Sequence, residues 1–361
     1  MIFITKTWLP PIADYVSKIT AIWEAGIVTN GGVATRELTT QLQSHLSVAN
    51  LELVTNGTIA LQLAIKALNL QGEIITTPFS YVATTTAILW QNCDPVFVDI
   101  TSNGFCIDAA KIESAITERT SAILATHVYG YPCEVAKIEQ IANKYGLKVI
   151  YDAAHAFGVK LDGISLLAYG DISAISFHAT KLFHTVEGGA VVCKDQEVAQ
   201  RVNLLKQFGQ EGEDNYWLEG INAKMSELHA AMGLCVLPNV TDIITQRRVV
   251  FELYDQLLAQ SGLIRPRIPA NVSYNYAYYP VVFSSHTEMM RVRQALIVND
   301  IMPRRYFYPA LNNLPYLRAD LRRPCPHAES MASRVLCLPV YPTLALSDVA
   351  RIAQIVNESM Q

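Results

Sequence analysis

From about residue 50 the chain alternates short apolar and β-branched runs with longer stretches whose apolar positions recur at helical spacing. The runs are LELVT (51–55), EIITT (73–77), PVFVD (95–99), AILATHV (122–128), KVIYD (148–152), ISAIS (172–176) and GAVVC (189–193). Most carry no polar alternate, so neither face of the strand is suited to water and both must be covered. The intervening patterns, such as TIALQLAIKALNL (58–70) and EVAKIEQIANKYG (134–146), supply the covering helices. Together they predict βα units, an α/β fold and a mainly parallel seven-stranded sheet flanked by helices.

After about residue 200 the rhythm changes. Helical patterns dominate from Ser226 to Gln260, a Tyr-rich segment SYNYAYYPVVF (273–283) reads as strand, and ALSDVARIAQIVNES (345–359) is an amphipathic helix. The expected division is a large domain with its N-terminal segment over 1–240 and a smaller C-terminal α+β domain over 241–361. Gly262–Pro269 gives a weak linker signal, and no repeat of fixed period stands out.

Composition narrows the functional classes. Apolar residues make up 51% of the 361 residues and charged residues 17%, enough for a large core. With 28 Lys+Arg against 32 Asp+Glu the net charge is −4, and no basic stripe is present to grip a phosphate backbone, so nucleic acid is not an expected partner. The start, MIFITKTWLPPIADYV, puts Pro10-Pro11 where a signal peptide would need its apolar core. Apolar runs elsewhere, such as VVFELYDQLLAQ, are broken by charge well short of the ~20 residues a bilayer crossing needs. A cytoplasmic protein without a membrane partner is expected. The seven cysteines (93, 106, 133, 193, 235, 325, 337) form no Cys-x-x-Cys pair and have no histidine at ligand spacing, which predicts reduced thiols and no metal site.

Chemistry concentrates at strand ends. Asn56-Gly57-Thr58 lies between a strand and a helix, where free amides and the helix dipole favour an anion, although the same tripeptide also serves as a plain turn and N-cap. The G-x-G-x-x-G, P-loop and G-x-S-x-G patterns are absent. The strongest constellation is Asp152-Ala153-Ala154-His155-Ala156-Phe157-Gly158 after a buried strand, with Lys181 following in Ser176-Phe177-His178-Ala179-Thr180-Lys181. Singly, a strand-end Asp is often a cap, a His on an apolar stretch a core residue, and a Lys a solvated one. Jointly, a carboxylate, a lysine and an anion-binding turn at the carboxyl ends of strands are what pyridoxal phosphate requires.

These residues resemble the pyridoxal-phosphate-dependent nucleotide-sugar aminotransferases, the DegT/StrS family of the fold type I aminotransferases. Further motifs carry the resemblance: Pro78-Phe79-Ser80-Tyr81 with Ala83-Thr84, His127-Val128-Tyr129-Gly130, Glu187-Gly188-Gly189-Ala190, Gly220 to Glu227, Arg304-Arg305-Tyr306-Phe307-Tyr308-Pro309, and Leu338 to Pro342. The resemblance implies a fold type I enzyme in which Lys181 forms the Schiff base, Asp152 partners the pyridine nitrogen and His155 neighbours the ring hydroxyl. It further implies that Gly57, Thr58 and Ser176 hold the phosphate and that Tyr81 stacks on the ring. Asn222 would reach the phosphate in the partner subunit, giving a homodimer with shared sites. Gly31-Gly32 departs from the Gly-Pro of many relatives.

The implied reaction is ping-pong: L-glutamate converts the cofactor to pyridoxamine 5'-phosphate, which aminates a keto carbon of a nucleotide sugar. The stretch SFHATKLFHTVEGGAVV (176–192) is most like the viosamine-forming branch, which converts dTDP-4-keto-6-deoxy-D-glucose to dTDP-4-amino-4,6-dideoxy-D-glucose for amino sugars of O-antigen and lipopolysaccharide. A 3-keto-sugar aminotransferase acting on a dTDP-sugar and a cofactor-binding regulator without turnover remain alternatives. A sugar 3-dehydratase would replace the lysine with histidine, and Lys181 is retained. Candidates for substrate contact are His178, His184, Lys160, Arg305, Tyr306 and Tyr308, each with a structural role equally open.

Overall fold

A computed structural model describes residues 1–360. All seven predicted runs become strands of one sheet: β1 (Asn50–Val54), β2 (Glu73–Thr76), β3 (Asp94–Phe97), β4 (Thr120–Thr126), β5 (Lys148–Asp152), β6 (Ile172–Ser176) and β7 (Gly189–Cys193). Their spatial order is β1-β7-β6-β5-β4-β2-β3. Neighbours from β6 through β3 pair in parallel, whereas β7 runs antiparallel to both β1 and β6. The reversal follows from the link between β6 and β7, residues 177–188, which forms no helix to cross the sheet and returns the chain beside the strand it left.

The parallel strands are apolar because helices lie over them. Helix Gly57–Ala67 sets Ala60, Leu61, Leu63, Ala64, Ile65 and Ala67 against the sheet. Its alanines let it approach β6 and β7 closely, which brings its N-terminus beside Ser176. Each leucine or isoleucine so buried contributes about 1.5–3 kcal/mol relative to exposure.

Beyond the sheet, helix Glu227–Val236 continues through a short 3₁₀ turn into Val240–Leu257. By length and composition this run could cross a membrane, yet over half of its most apolar window is buried inside the protein. An antiparallel pair, Tyr279–Val282 with Val335–Leu338, is packed by helix His286–Val298, which in turn packs against Pro326–Arg334 and Leu346–Met360. The first strand, Ile2–Phe3, pairs in parallel with Ile301–Met302, so the N-terminus is tied to this C-terminal region.

The Tyr-rich segment departs from expectation. Only Val272–Ser273 and Tyr279–Val282 are strand. Between them Asn275 is buried and donates to the carbonyls of His155 and Phe157 at 2.9 and 3.0 Å, and Tyr276 takes φ 54°. Hydrogen bonding to the Asp152–Gly158 turn therefore replaces ladder pairing. The helices Ile12–Ala25 and Val33–Leu46 lie in a region for which the pattern predicts no element.

The second helix also accounts for Gly31-Gly32. Glu227, 1% exposed, accepts from the amides of Ala34 and Thr35 and from the Thr35 hydroxyl at 2.7, 3.1 and 2.6 Å. A Cβ on Gly32 would lie 2.5 Å from that carboxylate.

Candidate active site

The carboxyl ends of β5 and β6, the β6–β7 link and the N-terminus of helix Gly57–Ala67 converge on a cavity of about 800 Å³. The cavity contains Lys181 from the link, Asp152 from the end of β5 and His155 just beyond it. Lys181 Nζ donates to the Tyr278 hydroxyl at 3.3 Å. Burial disfavours its ammonium form and lowers its pKa to about 8, with Arg304 adding to the shift while Asp152 and Tyr81 oppose it.

Asp152, 5% exposed, is held by a chain of hydroxyls. Thr84 donates to its Oδ2 at 2.7 Å and the Ala154 amide to its Oδ1 at 3.1 Å. Because the Thr84 proton is committed to the carboxylate, Ser80 must be the donor in the 2.7 Å contact between the two hydroxyls, and Thr126 donates to Ser80 at 3.1 Å. Burial raises the carboxyl pKa against the lowering effect of Thr84, Ala154 and Lys181. His155 accepts at Nδ1 from the Tyr129 amide at 3.0 Å, and burial keeps its pKa well below the ordinary value. The ring is therefore neutral with its proton on Nε2. It lies parallel to Phe307, 5.6 Å between centroids, and 4.7 Å from Tyr278.

Opposite these groups the chain builds an anion cradle. Asn56 caps the helix by accepting from the Ile59 amide at 2.9 Å. Among the described residues nothing accepts from the amides of Gly57 and Thr58. A Cβ on Gly57 would sit 2.8 Å from Ser176 Cβ, and one on Gly189 would sit 2.7 Å from the Asn56 carbonyl carbon. Glycine at both positions is what brings the cradle against Ser176.

Residues 12–357 match the profile described as the DegT/DnrJ/EryC1/StrS aminotransferase family. The chain belongs to this family. It is 40% identical to a dTDP-4-amino-4,6-dideoxy-D-glucose transaminase of Escherichia coli, covering 99% of this chain and 98% of that one. A protein of the same name from Shigella dysenteriae is also 40% identical over the same shares. Among solved structures, DesI in the presence of its TDP-sugar product superposes with a TM-score of 0.94 at 31% identity, covering 98% of this chain and 91% of that one. DesV of S. venezuelae in complex with a ketimine intermediate gives 0.90 at 26%, covering 97% and 95%. The chain is thus an aminotransferase with the PLP fold type I architecture.

Aminotransferases of the DegT/StrS family depend on pyridoxal phosphate, and the cavity meets the demands of that group. A half-buried amine with a lowered pKa and a buried carboxylate line it, together with two free amides and a serine hydroxyl. Gly57, Thr58, Tyr81, Asp152, His155, Ser176, His178, Lys181 and Tyr306 all line the cavity. Tyr81 stands half-exposed at its mouth, 6.3 Å from Phe307.

The other proposed contacts lie elsewhere in this aminotransferase. Lys160 sits in a short outer strand paired with Ser165 and Ser273. Arg305 stacks on Tyr308, 3.5 Å from the ring centroid, and neither lines the cavity. His184 is fully buried with both ring nitrogens hydrogen-bonded inside the protein. Asn222 is exposed, outside the cavity of its own chain, and accepts from Lys224 at 2.8 Å. Tyr278 reaches the cavity from a distant segment that sequence spacing does not single out; Arg304 and Phe307, noted only as parts of a motif, line it too.

Proposed function

We propose that this family member transfers the amino group of L-glutamate to C-4 of dTDP-4-keto-6-deoxy-D-glucose, giving dTDP-4-amino-4,6-dideoxy-D-glucose. The observation that carries this reading is Lys181, a half-buried lysine with a pKa of about 8, sharing a cavity with buried Asp152 and the free amides of Gly57 and Thr58. Identity to the two transaminases over nearly the full chain supports the choice of sugar.

Lys181 would carry the covalent link to the cofactor, Asp152 would face its ring nitrogen, and Gly57, Thr58 and Ser176 would take its phosphate. Bound there, pyridoxal phosphate supplies an electron sink for the bond that breaks at the amine-bearing carbon. The chain's own residues handle the protons. Lys181 Nζ, uncharged over an appreciable fraction near neutral pH, takes the proton from the substrate carbon and returns it. Asp152 keeps a negative charge where a ring-nitrogen proton must be held, fixed in orientation by Thr84 and Ala154. His155 offers an Nε2 proton as a donor, because Nδ1 is committed to Tyr129.

In this reading 1–240 is the cofactor-binding domain and 241–361 the smaller domain, which contributes Tyr278, Arg304 and Tyr306 to the opposite wall. The enzyme is read as a cytoplasmic homodimer, with Asn222 serving the partner's site. The test is product analysis by mass spectrometry and NMR, with glutamate and either the 4-keto or the corresponding 3-keto dTDP-sugar. Amination of the 4-keto sugar by wild type and not by Lys181→Ala is expected. Amination of the 3-keto sugar alone would overturn the regiochemistry.

A further inference from the structure

We propose that the N-terminal strap Ile4–Trp8 positions the catalytic lysine, and that His184 is the residue that latches it to the Lys181 loop. The inference rests on the reading of Lys181 as the proton-transferring group. At one end the strap is anchored to the C-terminal region. Ile2 donates to Asp300 at 2.7 Å, Ile2–Phe3 pairs with Ile301–Met302, and the Ile4 carbonyl accepts from the Val340 amide at 3.2 Å. At the other end it meets the β6–β7 link on either side of Lys181. The Thr7 hydroxyl donates to the Ala179 carbonyl at 3.0 Å, and His184 Nε2 lies 2.6 Å from the Trp8 carbonyl.

The His184 contacts fix its tautomer. Its Nδ1 accepts from the Val186 amide at 3.3 Å, so the proton is on Nε2 and is given to Trp8. Both nitrogens are spent, and the side chain is wholly buried. The Val186 contact has a second effect. Val186 has φ 70°, a conformation a β-branched residue resists, and the bond to His184 compensates for it. The link then folds back on itself through Lys181 N to His178 O at 2.8 Å and Thr185 N to Phe177 O at 2.9 Å.

The geometry matters because the cavity has two walls. Lys181 comes from the link, while Tyr278 and Arg304 come from the C-terminal region, where Arg304 exchanges backbone hydrogen bonds with Cys337. The strap is bonded to both walls, and the 3.3 Å contact of Lys181 with Tyr278 spans them. A latch that fails lets the link move relative to the opposite wall, and proton transfer is sensitive to displacements of about 1 Å. His184 touches no reacting atom and acts through the loop, as a positioning residue.

The test combines amide hydrogen exchange of the cofactor-free protein with steady-state kinetics on His184→Ala, His184→Gln and Thr7→Val. Glutamine keeps an N–H donor at a reach similar to Nε2. In His184→Ala the amides of Lys181, Thr185 and Val186 should exchange at least about tenfold faster, with kcat down about tenfold and the KM for glutamate nearly unchanged. His184→Gln should restore most of kcat and of the protection at Lys181 and Thr185, while the Val186 amide, whose acceptor is Nδ1, stays fast. Thr7→Val should show the same pattern more weakly, and it carries the test if His184→Ala does not fold. Unchanged exchange over 178–186, acceleration spread evenly over the whole sheet, faster local exchange without loss of kcat, or failure of glutamine to rescue would each overturn the proposal. Should wild type prove inactive with every donor and sugar, the functional reading and the catalytic role of the latch fall together, and the exchange data then decide only whether His184 holds the strap.

Discussion

Thr84→Val tests whether the hydroxyl chain sets the state of Asp152. Valine matches threonine in shape but removes the donor 2.7 Å from Asp152 Oδ2, leaving one oxygen of a buried carboxylate without that partner. Hydrogen bonds to charged groups are worth about 1.5–3 kcal/mol, so a loss of about 2 kcal/mol is expected near neutral pH, close to a 30-fold change in the folding equilibrium. The sign of the pH dependence follows from the same contact. Thr84 lowers a carboxyl pKa that burial raises above its ordinary 3.8, so removing it raises that pKa further. A raised carboxyl pKa destabilises the ionised fold. The deficit is therefore full above the folded pKa of Asp152 and shrinks as pH falls through it, where the carboxyl protonates in the native state. Urea unfolding of the cofactor-free protein at neutral and mildly acidic pH measures this, with Thr84→Ser as the control that keeps the hydroxyl. A deficit independent of pH, or an equal deficit in the serine variant, would refute the reasoning.

Other contacts make further predictions. Gly57→Ala places a methyl 2.8 Å from Ser176 Cβ, costing about 1–3 kcal/mol of overpacking and weakening cofactor retention, read by thermal unfolding and by dialysis against excess cofactor. Asp152→Asn removes the main group opposing the shift of Lys181, so its pKa should fall below about 8; the pH dependence of reductive methylation in the cofactor-free protein measures it, and an upward shift would contradict the assignment. Glu227→Ala strands two buried amides at helix Val33–Leu46, a loss of about 2–3 kcal/mol in urea unfolding, with Glu227→Gln recovering part of it.

The central sheet could be read from sequence because its strands are buried on both faces and bounded by turns, which leaves an apolar run few alternatives. Asp152 and Lys181 could be found because each lies at or just past the end of such a run. Tyr278 and Arg304 could not, since they reach the cavity through tertiary packing of the C-terminal region, where short strands and irregular segments carry little periodicity. The Tyr-rich segment misled for a related reason. Its composition favours strand, but Asn275 bonds to the turn after Asp152 and pulls the backbone out of a ladder. His184 looked available to a substrate because sequence shows the residue type and not the strap that covers it.

The most direct test is the visible spectrum of the purified protein with pyridoxal phosphate, followed through successive additions of L-glutamate and dTDP-4-keto-6-deoxy-D-glucose. The absorption band of cofactor linked to Lys181 should form, disappear with glutamate and return with the sugar, and it should never form in Lys181→Ala. A wild-type protein that forms no such band would contradict the assignment of Lys181 and the chemistry built on it.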